Sequence, residues 1–225
     1  MIELVVFDMA GTTLHDGNAV SDCFRAALAN RGVAAEQAAV NDVMGLPKPE
    51  AIRRLLSASG KPFGAADIDA VHADFVARMK RYYAESPEVR ELAGASAVFA
   101  ELRRAGVKVA LNTGFSREIV DVILARLGWA DAIDASIASD ETPRGRPYRD
   151  MIHLLMTRLR VTDPRCVAKV GDTPVDLQEG ANAGCGLVIG VTTGAFTRAQ
   201  LQPHPHTHIL DSLTAVAKVV CGTTG

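Results

Sequence analysis

The amino-acid sequence predicts a doubly wound α/β fold: a parallel sheet with helices on both faces, and an all-helical segment inserted after the first strand. Three observations predict it. From residue 88 onward, short apolar or β-branched runs alternate with helix-length segments, the pattern of parallel strands joined by helical crossovers. One further strand-like run stands alone at residues 2–7. Between that run and residue 88 there is no convincing strand.

In chain order, residues 2–7 form a short β-branched and apolar run that reads as a buried strand, broken by Gly11-Thr12-Thr13. Helices are expected over 20–31, 36–43, 47–57 and 65–83. Pro47 or Pro49 suits a first helical turn, where a missing N–H costs nothing. A helix over 95–105 is expected to end on Gly106 as its C-cap. Strand 107–111, helix 117–127, short strand 135–138 and helix 148–159 follow. Strand 167–170, helix 175–183 capped by Gly184, and strand 187–191 come next, then a strand at 208–210 and a helix at 213–220. The α/β core is thus expected at residues 1–16 and 88–225, with the helical insert at 17–87.

The apolar content of 48% is enough to bury a sizeable core, and a net charge of −2 with no Lys/Arg run gives no case for nucleic acid as partner. Cys23, Cys166, Cys185 and Cys221 form no Cys-x-x-Cys pair, which argues against a zinc knuckle or disulfide framework and for reduced thiols. The apolar run at the N-terminal end stops at Asp8, unlike a signal peptide, and no stretch reaches the ~18 apolar residues of a membrane span. A cytoplasmic protein without membrane partners is expected.

Polar residues gather where the predicted strands end. The groups are Asp8-Met9-Ala10-Gly11-Thr12-Thr13, Asn112-Thr113-Gly114, Pro143-Arg144-Gly145-Arg146-Pro147 and Gly171-Asp172-Thr173-Pro174-Val175-Asp176. In an open parallel sheet ligands bind beyond the C-terminal strand ends, so the topology brings these groups together. Carboxylates, a cation and Gly-rich turns suit a divalent cation and a phosphoryl group. Each group alone has a plainer reading, because Asp after a strand is often a turn residue or a helix N-cap.

The order and spacing of all four resemble the haloacid dehalogenase superfamily over nearly the whole chain, with its Rossmann-like core. The resemblance implies that Asp8 is the nucleophile forming an aspartyl-phosphate. It implies that Thr113 hydrogen-bonds the phosphoryl group and that Arg146 is the cation beside both. Mg²⁺ would be bound by Asp8, the backbone carbonyl of Ala10 and Asp172, with Asp176 supporting the site. The insert would be a mobile cap, and the resemblance admits a homodimer through it.

Most phosphatases of this superfamily carry an acidic residue two positions after the nucleophile, to protonate the leaving alkoxide. Here that position is Ala10. General acid–base catalysis is worth about 10²–10⁴-fold, or roughly 3–5 kcal/mol. The Asp-x-Ala-Gly-Thr-Thr form resembles the phosphonoacetaldehyde hydrolase branch, in which a cap lysine forms a Schiff base with an aldehyde substrate and carbon leaves as an enamine. Met44-Gly45-Leu46-Pro47-Lys48 resembles the segment that holds that lysine. The resemblance makes Lys48 the Schiff-base residue and adds substrate contacts from Ala10, Gly11, Thr12, Met44, Gly114 and Phe115. The plainer reading of Lys48 is a solvated residue in the first turn of a helix.

An attacking Lys48 must be neutral. At the ordinary lysine pKa roughly one side chain in 2,500 is neutral at pH 7, a handicap of about 4.6 kcal/mol. Burial, or a nearby cation such as Arg53, would lower that pKa. The chain also departs from the branch. Ala51 stands where a proton-shuttling histidine is usual, and Phe115 where tyrosine is usual. His15 and Glu50 are candidate substitutes.

The reading preferred from sequence is hydrolysis of a phosphonoaldehyde C–P bond. The alternatives are a phosphomonoesterase of a small metabolite, phosphoglycolate phosphatase-like, and a catalytically idle binding protein. A dehalogenase fits least, since Asp172 has no role there. The His204, His206 and His208 alternation reads as a surface loop before the last strand, with a transition-metal site as the alternative. Arg53-Arg54 and Lys80-Arg81 read as solvated helix faces, and Trp129 as packing.

Overall fold

The computed structural model describes residues 1–222; the last positions of the expected core, 223–225, lie outside the described residues. Strand β1 (Leu4–Phe7) is followed by helices α1 (Ala19–Ala29), α2 (Gln37–Asn41), α3 (Lys48–Ala58) and α4 (Ala65–Glu85), with no strand among them. Then come α5 (Ala95–Arg104), β2 (Lys108–Asn112), α6 (Arg117–Leu127), β3 (Ala135–Ile137) and α7 (Asp150–Arg158). The chain continues through β4 (Val167–Gly171), α8 (Pro174–Ala183), β5 (Leu187–Val191), α9 (Arg198–Leu201), β6 (His208–Leu210) and α10 (Val216–Cys221).

All six strands pair parallel, in the order β3-β2-β1-β4-β5-β6. Strand β1 lies at the centre with every residue buried, which is why its sequence is a continuous apolar run rather than an alternating one. Its side chains still alternate between faces. Val5 and Phe7 join α5 and α6 through Phe99, Ile119 and Val120, while Leu4 and Val6 join α7 through Met151, Ile152 and Leu155. Phe7, Phe99 and Trp129 form an aromatic chain with centroids 5.4 and 5.3 Å apart, so Trp129 is packing, as expected.

Helix α6 shows why the local readings succeed. Ile119, Val120 and Ile123 are its buried face, Glu118 sits in the first turn, and Gly128 ends it in a left-handed conformation. Most differences lie at element ends. Helix α2 is shorter than expected, α7 begins at Asp150, and Gly106 lies one residue beyond the C-cap of α5, at φ +79°. The short helix α9, led by Thr197, is unforeseen because four residues show no periodicity. No described helix is long and apolar enough to cross a membrane.

Order along the sheet reverses beside β1, with β2 on one side and β4 on the other. That switch point is where a doubly wound sheet opens a crevice. Helices α1 and α3 both pack on α4, with Phe24 of α1 stacked on Phe75 of α4, centroids 4.4 Å apart. Their core runs into that of the sheet through Phe115, which meets Tyr83 of α4 edge-on at 5.9 Å.

Candidate active site

Asp8, Thr113 and Asp172 each follow directly on the C-terminal end of β1, β2 and β4, and Arg146 reaches in from the loop between β3 and α7. All four are buried and line one small cavity of about 50 Å³. Ala10, Gly11, Gly114 and Phe115 line it from the sheet side, and Met44, Gly45 and Lys48 from the helical segment. Thr12 does not. Its hydroxyl donates to Asp172 Oδ1 at 2.9 Å and braces that carboxylate.

Arg146 is the hub of a buried charge network. Its Nη1 lies 2.6 Å from Asp8 Oδ1 and 2.9 Å from Asp176 Oδ1, and its Nε lies 3.2 Å from Glu179 Oε2. Nη2 donates to the Asn112 carbonyl at 2.7 Å and to Asn112 Oδ1 at 2.6 Å. Lys169, in the middle of β4, is fully buried and meets the same groups: Asp176 Oδ1 at 2.9 Å, Glu179 Oε2 at 3.2 Å and Asn112 Oδ1 at 2.6 Å. Burial would raise the Asp176 carboxyl, but Arg146 and Lys169 outweigh it and hold the group below the usual carboxylate range. Thr173 closes the Asp176 site as a capping box on α8, its hydroxyl 2.6 Å from Oδ2.

Asp8 and Asp172 go the other way. Burial pushes both carboxyls up, and each feels like charge from the other carboxylates, more strongly at Asp172 than at Asp8, where Arg146 opposes it. Oxygens of Asp8, Asp172 and Asp176 lie within 4.8 Å of one another. Asp172 is held by Thr12, by the Ala195 N–H at 3.1 Å and by close packing on Gly11, where a Cβ would come within 2.6 Å of Oδ2. Three crowded carboxylates, of which Asp172 has no cationic partner among the described residues, fit a hard divalent cation.

Lys48 is the first residue of α3, with Pro47 at the N-cap and Pro49 in the first turn. Its side chain turns inward and is only 5% exposed, which excludes the solvated reading. Nζ lies 4.9, 5.3 and 6.0 Å from the ring centroids of Phe115, Phe24 and Phe75. Burial pushes its pKa down to about 8; Asp8 and Asp16 resist the shift and Arg146 adds to it. At that value roughly one lysine in ten is neutral at pH 7, and the handicap shrinks to about 1.4 kcal/mol.

Two sequence expectations are corrected here. Arg53 is not the cation acting on Lys48; it is exposed and paired with Glu50 at 2.7 Å, one turn outward, and Arg146 takes that part. Neither His15 nor Glu50 lines the cavity beside Lys48. Glu50 is tied to Arg53 and Arg54 and borders a separate outer cleft of about 740 Å³ between α3 and the loop before α7. Asp16 does line the cavity, although no sequence pattern marked it. Lys169 and Glu179 were also missed, and a lysine in the middle of the apolar β4 run was the visible signal. Among the described residues, His204, His206 and His208 form no metal grouping. Lys80 pairs with Glu118 at 2.8 Å on the surface.

The haloacid dehalogenase-like hydrolase family model matches residues 2–184, and the chain belongs to that family. It is 32% identical to the phosphonoacetaldehyde hydrolase of Bacillus cereus over 222 residues, covering 89% of this chain and 81% of the relative. It is 29% identical to the phosphonoacetaldehyde hydrolase of Bacteroides fragilis, covering 96% and 87%. A phosphonoacetaldehyde hydrolase-like protein from Oleispira antarctica has the same fold, with a TM-score of 0.85 at 24% identity, covering 100% of this chain and 96% of that one.

Proposed function

We propose that this chain hydrolyses the carbon–phosphorus bond of a small phosphonoaldehyde, phosphonoacetaldehyde or a close relative. The observation that carries the reading is that Lys48, from the helical segment, and Asp8, from the sheet, line the same small cavity, with the lysine pKa down to about 8. The phosphonoacetaldehyde hydrolases at 29% and 32% identity support it.

Neutral Lys48 attacks the carbonyl carbon, and uptake of one proton with loss of water leaves a protonated imine. Asp8 attacks phosphorus while the C–P electron pair moves into the chain toward the iminium nitrogen, giving an enamine and an aspartyl-phosphate. Water then hydrolyses both covalent links. Because the leaving carbon drains its charge into nitrogen, no acid is needed at Ala10. Arg146 aims Asp8 and, with Thr113, holds the phosphoryl oxygens. Asp8, Asp172 and the Ala10 carbonyl would hold Mg²⁺, with Asp176 behind them; when bound, the ion supplies positive charge against the phosphoryl oxygens. Residues 17–87 act as the cap.

The test is borohydride reduction in the presence of phosphonoacetaldehyde and Mg²⁺. A covalent adduct on Lys48, with phosphate release that stops on chelation, is the expected result. Phosphate release from phosphate esters but none from phosphonoacetaldehyde would favour the phosphomonoesterase reading. No turnover of either would favour a binding protein.

Closure of the cap has its own test. A Cβ at Gly114 would come within 2.5 Å of the Leu46 carbonyl oxygen, and one at Gly45 within 2.5 Å of Thr173 Oγ1. The two layers therefore meet closely beside the cavity, backbone to backbone at Gly114 and backbone to side chain at Gly45. Gly114→Ala is expected to hold the cap about 1 Å off and lower kcat on the order of 10²-fold. Its far-ultraviolet circular dichroism should match the parent. Unchanged kcat would show that turnover does not need this contact.

A further inference from the structure

We propose that Asp16 is the proton-transfer residue for imine formation at Lys48, in the place of the histidine that Ala51 lacks; this rests on the Schiff-base reading above. Three observations carry it. Asp16 lines the cavity that holds Lys48 and Asp8, whereas Ala51 is buried in the apolar core. Its carboxylate takes a single hydrogen bond among the described residues, a long one of 3.3 Å from Val20 N–H to Oδ1. It interacts electrostatically with Lys48.

The groups around Asp16 favour this use. Lys48 of α3, Asp8 and Arg146 line the cavity with it, Lys48 and Tyr83 of α4 interact with it electrostatically, and His15, Asp22 and Cys23 are near it in sequence. The Tyr83 hydroxyl is buried without a hydrogen-bond partner. Burial holds the Asp16 carboxyl above its usual range, so the protonated form is populated closer to neutral pH than for a solvated aspartate.

The proton balance closes. Asp16 takes one proton from the Lys48 ammonium, and the freed amine forms a C–N bond to the carbonyl carbon. A second nitrogen proton passes to the alkoxide oxygen, giving a carbinolamine. Asp16 returns its proton to that hydroxyl, the C–O bond breaks, water leaves, and the nitrogen lone pair closes the C=N bond. Ammonium and aldehyde have become iminium and water, and the carboxylate is restored.

Electrostatics alone predicts the opposite outcome from proton transfer. The Asp16 charge raises the Lys48 pKa, so removing it yields more free amine and faster attack. The experiment measures the rate of borohydride-trapped adduct at Lys48 with phosphonoacetaldehyde, in wild type, Asp16→Asn and Asp16→Glu. Orthovanadate inhibition reports the phosphoryl site independently. In Asp16→Asn, trapping is expected to slow on the order of 10²–10³-fold, with orthovanadate affinity within twofold of wild type. Asp16→Glu should recover most of the trapping rate, which also answers a folding defect in the Asn variant. Trapping in Asp16→Asn as fast as wild type, or in Asp16→Glu no faster than in Asp16→Asn, would overturn the proposal while leaving the Schiff base intact. Wild-type protein that traps no adduct at all removes the Schiff base itself, and the role of Asp16 with it.

Discussion

Replacing Lys48 with methionine is expected to abolish C–P cleavage and at the same time stabilise the protein. The loss in turnover should be on the order of 10⁴-fold, some 5 kcal/mol of barrier, because without an imine the carbon must depart as an enolate, for which the neutral carbonyl is a much poorer electron sink than an iminium. The gain in stability has a separate origin. Burial takes the Lys48 pKa from 10.5 to about 8, so the folded state carries the ammonium at a penalty of roughly 3 kcal/mol. Part of the gain is lost with the cation–π contacts to Phe24, Phe75 and Phe115. A net gain of about 2 kcal/mol at pH 7 remains.

The sign follows from proton binding. A lysine whose pKa is lowered by folding holds its proton more tightly in the unfolded chain, so stability rises with pH through the window from about 8 to 10.5. The penalty is therefore full below pH 8 and fades above it. Urea unfolding of Lys48→Met and the parent at pH 7 and pH 10.5 should show a difference that shrinks at the higher pH. A methionine variant less stable than the parent at pH 7 would mean that the lysine is not held at a cost. One that still cleaved phosphonoacetaldehyde would remove Lys48 from the chemistry. With both expected results, position 48 is a place where the fold gives up stability for a reactive amine.

What the sequence made legible was whatever is written locally. Strand β1 and the clusters around Asp8, Thr113, Arg146 and Asp172 are contiguous in the chain, and the rule for parallel sheets assembles them without coordinates. Lys48 was legible through its neighbours, Met44-Gly45-Leu46. Contacts through space were not. Arg53 looked like the cation that would depress Lys48 because it is five positions away in sequence; on α3 it points outward to Glu50, and Arg146, 98 positions away, is the cation that counts. Asp16 lies in the short connection between β1 and α1, where a carboxylate is an ordinary turn residue. It gains a site only through space, by lining the same cavity as Lys48 of α3. Asn112 and Glu179, 67 positions apart, meet at 2.9 Å beneath the cavity, and no local pattern pairs them.

Lys169→Met is expected to cost about 3–5 kcal/mol of stability, the range for removing one partner of a buried ion network. Lys169 Nζ is shared between Asp176, Glu179 and Asn112, all fully buried, and water cannot replace it there. Without it, Arg146 is left to balance Asp8, Asp176 and Glu179 alone. The variant Glu179→Gln removes one of those charges and leaves an oxygen acceptor for the Asn112 amide, which now donates to both Glu179 oxygens at 2.9 Å. If charge balance is what Lys169 provides, the double variant Lys169→Met/Glu179→Gln should be more stable than Lys169→Met alone. The coupling energy in the cycle should be about 1–3 kcal/mol. Strict additivity would mean that Lys169 contributes by filling space in β4 rather than by its charge. The charge account also reaches Asp8: in the double variant Arg146 balances two carboxylates, Asp8 and Asp176, rather than three, so the placement of Asp8 should recover along with the fold. Urea unfolding reads the first effect and phosphate release the second, and the two should return together.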